Sequence, residues 1–367
     1  MSIDVVEIVN ELSRVDKRPL RRFQRRRRVG ELTRARIIRY ALGIALAIAL
    51  AYGVRWPLSY LTPLLCAVIL ARPLPVLPLK VGFINMVVTL FAFLFGFFFT
   101  QLLLPFPLVY SLALAVVLFR IYYYLNRNGS FWLTIMLLLS VLMMPLLSSI
   151  NEGLAIGVVV GFLVSSWLTI LILWLVHYIV PDPEAVSMPP RRVLQKAYSF
   201  HAAQAAMKSA IVVTPLALLF IAGNWVNQIL VLIFAAIFTL VPDLEEGRDA
   251  GIASFISTLI GGLFAMILYI LMVAVPEFYF YVLLIFAVGM IFGTIIFSDS
   301  PAAIYYPSAM TGMIVLLNSS MELGSSFSET FFVRLGLILL ATVYVVFALK
   351  ILNIFWPEKY YSQGTSD

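Results

Sequence analysis

Two basic residues, Arg39 and Lys208, stand 169 positions apart, each heading an apolar stretch. A cation there can attract a carboxylate, or its stem can lie in lipid while its charge reaches the headgroups. Trp56 and Trp225 share the spacing and read either as the lining of a path or as interfacial belt residues. Asn85, Thr89 and Thr258, with Ser254 and Ser257 nearby, offer amide and hydroxyl groups that hydrogen-bond a ligand or join helices. Arg120, just ahead of "NRNG", reads as an anchor at the membrane surface. Asp243, Glu245, Glu246 and Asp249 fall at helix ends, and Asp299 reads as the cap of a helix beginning at Pro301. His177 and His201 are too far apart for a metal site. No HExxH, GxSxG or P-loop pattern occurs. These residues therefore predict non-covalent binding of a small anion, with no catalytic group and no cofactor.

The elements that must position them are membrane helices. Of the 367 residues, 62% are hydrophobic and 12% charged, against about 25% charged in soluble domains. About twelve apolar runs can cross a bilayer, near 37–54, 56–71, 81–104, 107–126, 131–149, 154–180, 207–223, 225–241, 251–275, 278–297, 301–318 and 330–356. Barrel strands would alternate apolar and polar residues, and "GVVVGFLVSSWLTILILWLVHYIV" does not. The fold class is all-α integral membrane. The single cysteine, Cys66, excludes an intrachain disulfide and reads as a packed thiol.

Twelve of the 25 Lys and Arg residues lie between Arg14 and Arg39. That density marks residues 1–36 as a cytoplasmic arm by the positive-inside rule. With twelve crossings both termini are cytoplasmic, 357–367 forms the tail, and only Arg55 and Arg334 fall on the outer side. Arginines placed directly before a membrane anchor are a topology signal that also contacts lipid headgroups, so nucleic acid is not a partner. Ahead of them, Val5, Ile8, Val9 and Leu12 fall on one face of a short amphipathic helix.

Shifted by 169 without a gap, Arg39 pairs with Lys208, Trp56 with Trp225, Pro73 with Pro242, Gly82 with Gly251, Thr89 with Thr258, Pro107 with Pro276 and Tyr110 with Tyr279. The chain thus reads as two parallel six-helix repeats, 37–180 and 207–356, joined by a cytoplasmic linker at 181–206. In each half only 15 residues separate the basic residue from the one before the Trp, about 22 Å at the helical rise and short of a roughly 30 Å hydrocarbon core. Short or Pro-broken helices at matched positions point to a transport site. Pro63 and Pro215 add to that signal.

The stretches "RYALGIALAIALAYGVRWPLSYLTPLLCAVILARP" and "KSAIVVTPLALLFIAGNWVNQILVLIFAAIFTLVP" resemble the fusaric-acid-resistance and aromatic-acid-exporter superfamily (FUSC), in a short form lacking the large cytosolic domain. The resemblance implies an efflux protein of the bacterial inner membrane. Its substrates would be aromatic carboxylic acids or similar organic anions, and a periplasmic membrane-fusion adaptor would be its partner. On that reading Arg39 and Lys208 attract the anion, while Trp56, Trp225, Asn85, Thr89 and Thr258 line its path. A passive anion channel is the nearest alternative, followed by a membrane scaffold or an embedded transferase. Membrane lipid is a partner on every reading, and a homo-oligomer is compatible with all of them.

Overall fold

The computed structural model describes residues 18–54, 56, 58–73, 75–182, 195, 197–240, 244–322 and 327–355. The amphipathic segment at 5–12, most of the linker and the tail lie outside these residues. Among the described residues every regular element is a helix: α1 (Arg18–Val54), α2 (Leu61–Leu70), α3 (Leu79–Leu103), α4 (Pro107–Asn126), α5 (Phe131–Ile150), α6 (Glu152–Ile179), α7 (Phe200–Gly223), α8 (Ile229–Phe238), α9 (Leu244–Ala274), α10 (Phe278–Ile296), α11 (Tyr306–Glu322) and α12 (Phe327–Phe355).

Local chemistry explains where these bounds depart from the hydropathy reading. α1 begins at Arg18 and not near 37, because arginine is a good helix former and Pro19 sits in the first turn, where its missing N–H costs nothing. α2 begins at Leu61 and not at 56. Trp56 precedes a proline, which disfavours helical backbone, and Leu58 has φ 57°, a left-handed conformation through which no helix propagates. Asn224, with φ 51°, closes α7 in the same way, and a 3-10 turn at Val226–Gln228 delays α8 to Ile229. The run at 301–318 opens as a 3-10 turn, Pro301–Ile304, before α11. Its cap is Ser300 and not Asp299, since the Ser300 hydroxyl accepts the Ala302 N–H at 3.2 Å.

Among the described residues nine helices are long and apolar enough to cross a membrane, and α2 and α8 are shorter apolar helices of ten residues each. Large apolar side chains stay exposed in stripes at helical spacing. Examples are Leu108, Leu112 and Val116 on α4, and Leu339, Val343 and Phe347 on α12. Water would penalise such stripes at about 25 cal/mol per Å² of apolar surface, and hydrocarbon does not. The chain is a multi-pass, all-helical membrane protein.

Packing follows a consistent pattern. α3 packs on α5 and α6, as α9 does on α11 and α12; α2 packs on α6, as α8 does on α12. The largest contacts between the two halves are α4 on α7 and α10 on α1. One core joins α3, α4 and α5 to α7, α8 and α12. A second joins α1, α2 and α6 to α9, α10 and α11. Advancing every helix number by six exchanges the two cores.

Candidate functional site

Arg36 and Arg39 lie one turn apart on α1, and the chain brings two further cationic or titratable groups to them. Arg72 stands just past the end of α2, and His177 sits in the last turn of α6. With Leu70, Pro75, Leu77 and Leu173 they line a cavity of about 50 Å³, enough for a few waters or a carboxylate group. The extended segment after α2 is pinned across α6 by the Trp174 indole N–H, which donates to the Leu77 carbonyl at 2.9 Å. That bond fixes one wall of the cavity.

Charge in the cavity is partly balanced. The Arg39 side chain is 3% exposed and pairs with the Asp182 carboxylate, itself 12% exposed. Its Nε donates to the Ala35 carbonyl at 3.3 Å. Arg72 lies over the Phe131 ring, 5.2 Å from its centroid, a cation–π contact that holds the guanidinium near the opening. His177 Nδ1 is 2.8 Å from the Leu173 carbonyl, which places a proton on Nδ1 and turns Nε2 outward from that bond. Arg36 and Arg72 line the same cavity beside the Arg39–Asp182 pair and leave a surplus of positive charge, and the forked geometry of a guanidinium suits a second carboxylate.

A second pocket, of about 540 Å³, lies at the C-terminal end of α1, lined by Tyr52, Tyr269, Met272, Glu277, Phe278 and Tyr281. Tyr52 donates to Asn318 Oδ1 at 2.8 Å, and its ring stands edge-on to Tyr281 with centroids 5.7 Å apart. Arg39 and Tyr52 are thirteen positions apart on α1, about 20 Å of helix. Between the two pockets α1 and α10 touch: a Cβ on Gly289 would lie 2.8 Å from Ala41 Cα.

The structure brings Arg39 into the arginine cavity and places the other sequence-predicted residues elsewhere. Lys208 is 2% exposed on α7, in the core built around α4, whereas Arg39 belongs to the core built around α10. The Trp56 indole donates to Ser165 Oγ at 3.0 Å, and the same hydroxyl donates to the Leu58 carbonyl at 3.3 Å. That contact holds the α1–α2 turn against the middle of α6. Trp225 is 44% exposed and packs edge-on against Phe220. Thr89 donates to the Asn85 carbonyl at 2.9 Å and accepts the Trp132 indole N–H at 3.0 Å, joining α3 to α5. Thr258 donates to the Ser254 carbonyl of its own helix.

Sequence reasoning missed Arg36, Arg72, His177 and Asp182 as a group. One signal was present: Arg36 stands three residues before Arg39, on the same helical face.

Residues 36–176 match the profile of a family described as a protein of unknown function (DUF2955). The matched stretch begins at Arg36, ends one residue before His177 and takes in the first six helices up to the wall of the cavity. No curated protein matches the chain, and no solved structure does.

Proposed function

We propose that this chain is an inner-membrane efflux transporter for small aromatic carboxylic acids or related organic anions. The observation that carries the reading is the cavity in which Arg36, Arg39, Arg72 and His177 converge. A carboxylate entering there takes the place of Asp182 on Arg39 and gains the surplus charge of the neighbouring arginines. The tyrosine-lined pocket at the C-terminal end of α1 suits the aromatic body of the same ligand. The tight α1–α10 contact between them is the barrier that must open for passage.

The architecture proposed is about twelve membrane helices in two parallel six-helix repeats, with α2 and α8 as the short second helix of each. Its support is the interchange of the two cores when each helix number advances by six, together with the sequence matches at a shift of 169. Arg36 and Arg39 of α1 and Arg72 of the segment after α2 gather at one cavity, and with the arginine density of residues 14–39 this supports cytoplasmic termini. A periplasmic adaptor is the partner this reading calls for.

The test is efflux of radiolabelled para-hydroxybenzoate from preloaded cells, with and without an uncoupler, for the parent chain and Arg39→Ala, Arg72→Ala and Lys208→Ala. Uncoupler-sensitive efflux that Arg39→Ala and Arg72→Ala abolish supports the reading. Downhill flux indifferent to the uncoupler would make the protein a channel. Absence of flux in cells carrying a matched adaptor would sink both.

A further inference from the structure

The two largest contacts between the halves pair matched helices, α10 with α1 and α4 with α7, and they differ in the side chains they hold. On α10, Gly289 and Gly293 face α1, and a Cβ at either would meet Ala41 Cα at 2.8 Å or Ile37 Cγ2 at 3.2 Å. The residues 169 positions earlier, on α4, are Arg120 and Tyr124, and the counterpart of Ala41 on α7 is Ala210. Leu114 and Leu118 of α4 share a core with Ala210 and Val213 of α7, and beside that packing the two helices border a groove of about 520 Å³. Its walls are Val116 and Phe119 on one side and Ala210, Ile211, Pro215 and Leu218 on the other. Both helices are membrane spans, so the groove opens to hydrocarbon.

Arg120 is exposed and lies one turn beyond Val116 on the same face of α4, six residues from the helix end at Asn126. Six residues are about 9 Å of helix, within the reach of an arginine that extends to the headgroup layer. The arrangement is an apolar slot with an exposed cation one helical turn past Val116 of its wall. We propose that this groove is a binding site for an anionic phospholipid, with one acyl chain between α4 and α7 and the phosphate on Arg120. Headgroups with a net negative charge are favoured over zwitterionic ones, because only they leave the phosphate charge uncancelled. The site is independent of the transport reading and is occupied whether or not the protein moves an anion.

The experiment uses the full chain carrying Val116→Trp as a reporter, in phosphatidylcholine vesicles, with the unsubstituted chain subtracted as background. A fixed fraction of the lipid is replaced by dibrominated phosphatidylglycerol or dibrominated phosphatidylcholine, whose bromines quench a contacting indole. Phosphatidylglycerol is expected to compete for the reporter about fivefold better, the preference one basic residue confers at an anionic surface. Arg120→Gln is expected to remove the preference, Arg120→Lys to keep it, and Ala115→Phe to lower quenching by both lipids. Equal quenching by the two lipids, or a preference that survives Arg120→Gln, overturns the proposal. Stronger protection by a free fatty acid than by phosphatidylglycerol, or disulfide-linked dimers of a Val116→Cys chain in place of lipid contact, also overturns it and names another occupant. If Arg120→Gln fails to insert, the lipid comparison in the Arg120→Lys and Ala115→Phe chains decides the matter.

Discussion

Replacing Asp182 with asparagine keeps the size of the side chain and removes its charge. The Arg39 side chain is 3% exposed, so its guanidinium cannot recover bulk hydration when the carboxylate is gone. Breaking a buried pair by removing one partner costs about 3–5 kcal/mol. Two features pull the cost down. Arg39 Nε keeps its bond to the Ala35 carbonyl, and the adjoining cavity admits water. The low end, about 3 kcal/mol, is therefore the working value. At roughly 2 °C per kcal/mol for a large domain, the apparent unfolding temperature of Asp182→Asn in detergent falls by about 6 °C.

A carboxylate ligand should reverse that loss. With para-hydroxybenzoate at about 100 times its Kd, binding to the folded state returns about 2.7 kcal/mol, close to the whole deficit. In the parent chain the ligand must first displace Asp182, so the same concentration should give a smaller rise. The assay is a thermal-shift titration of the parent chain, Asp182→Asn, Arg39→Ala and the double variant. Arg39→Ala should remove the ligand response, and the double variant should be more stable than Asp182→Asn, because no charge is left unpaired. A ligand response that is no larger in Asp182→Asn than in the parent, or that persists in Arg39→Ala, would refute the claim that Asp182 occupies the place of the substrate carboxylate.

Trp56→Phe deletes the indole bond to Ser165 and is expected to destabilise by about 1 kcal/mol; Trp225→Phe, at an exposed position, should change stability by less than about 0.5 kcal/mol in the same thermal assay. Gly289→Val forces a branched side chain against the α1 backbone and should cost about 1–3 kcal/mol, read as a lower unfolding temperature and a smaller folded fraction on size-exclusion chromatography. Cys66 is fully buried, so maleimide labelling should stay near zero in the folded protein and reach one thiol per chain after denaturation.

Lipid makes one level of this structure easy to read from sequence. Backbone groups in hydrocarbon must be paired within their own segment, so apolar runs such as 131–149 and 154–180 map onto α5 and α6 within a few residues. Hydropathy is silent about helix outside the bilayer, which is why the extension of α1 back to Arg18 escaped it. It is equally silent about turns that bury apolar residues, which is why the starts of α2 and α8 were placed four or five residues early. The arginine cavity was legible only at Arg39. Arg36, Arg72, His177 and Asp182 come from a helix face, a loop, a helix end and a linker, and nothing local in the chain marks residues that meet only through tertiary packing.

The repeated phrase shows where equivalence in sequence ends. Trp56 and Trp225 occupy matched positions, yet one donates to a hydroxyl on a neighbouring helix and the other, half-exposed, packs against Phe220 at the end of the preceding helix. The ungapped shift of 169 fades toward the sixth helix of each half, and with it goes any counterpart on α12 of Ser165 on α6. A side chain takes its role from the helix opposite it, so two copies of one phrase acquire different roles when their partners differ. The same reasoning applies to Gly289 and Arg120, one lying against the α1 backbone and the other exposed on α4. Exchanging them puts the reasoning to a direct test. Gly289→Arg should part α1 from α10, whereas Arg120→Gly, at an exposed position, should leave the α4–α7 spacing unchanged. Cysteine pairs at 116 with 211 and at 285 with 45, followed by oxidation, would measure both separations. An α1–α10 cross-linking yield that falls in Gly289→Arg, with the α4–α7 yield unchanged in Arg120→Gly, is the outcome the glycine contacts require.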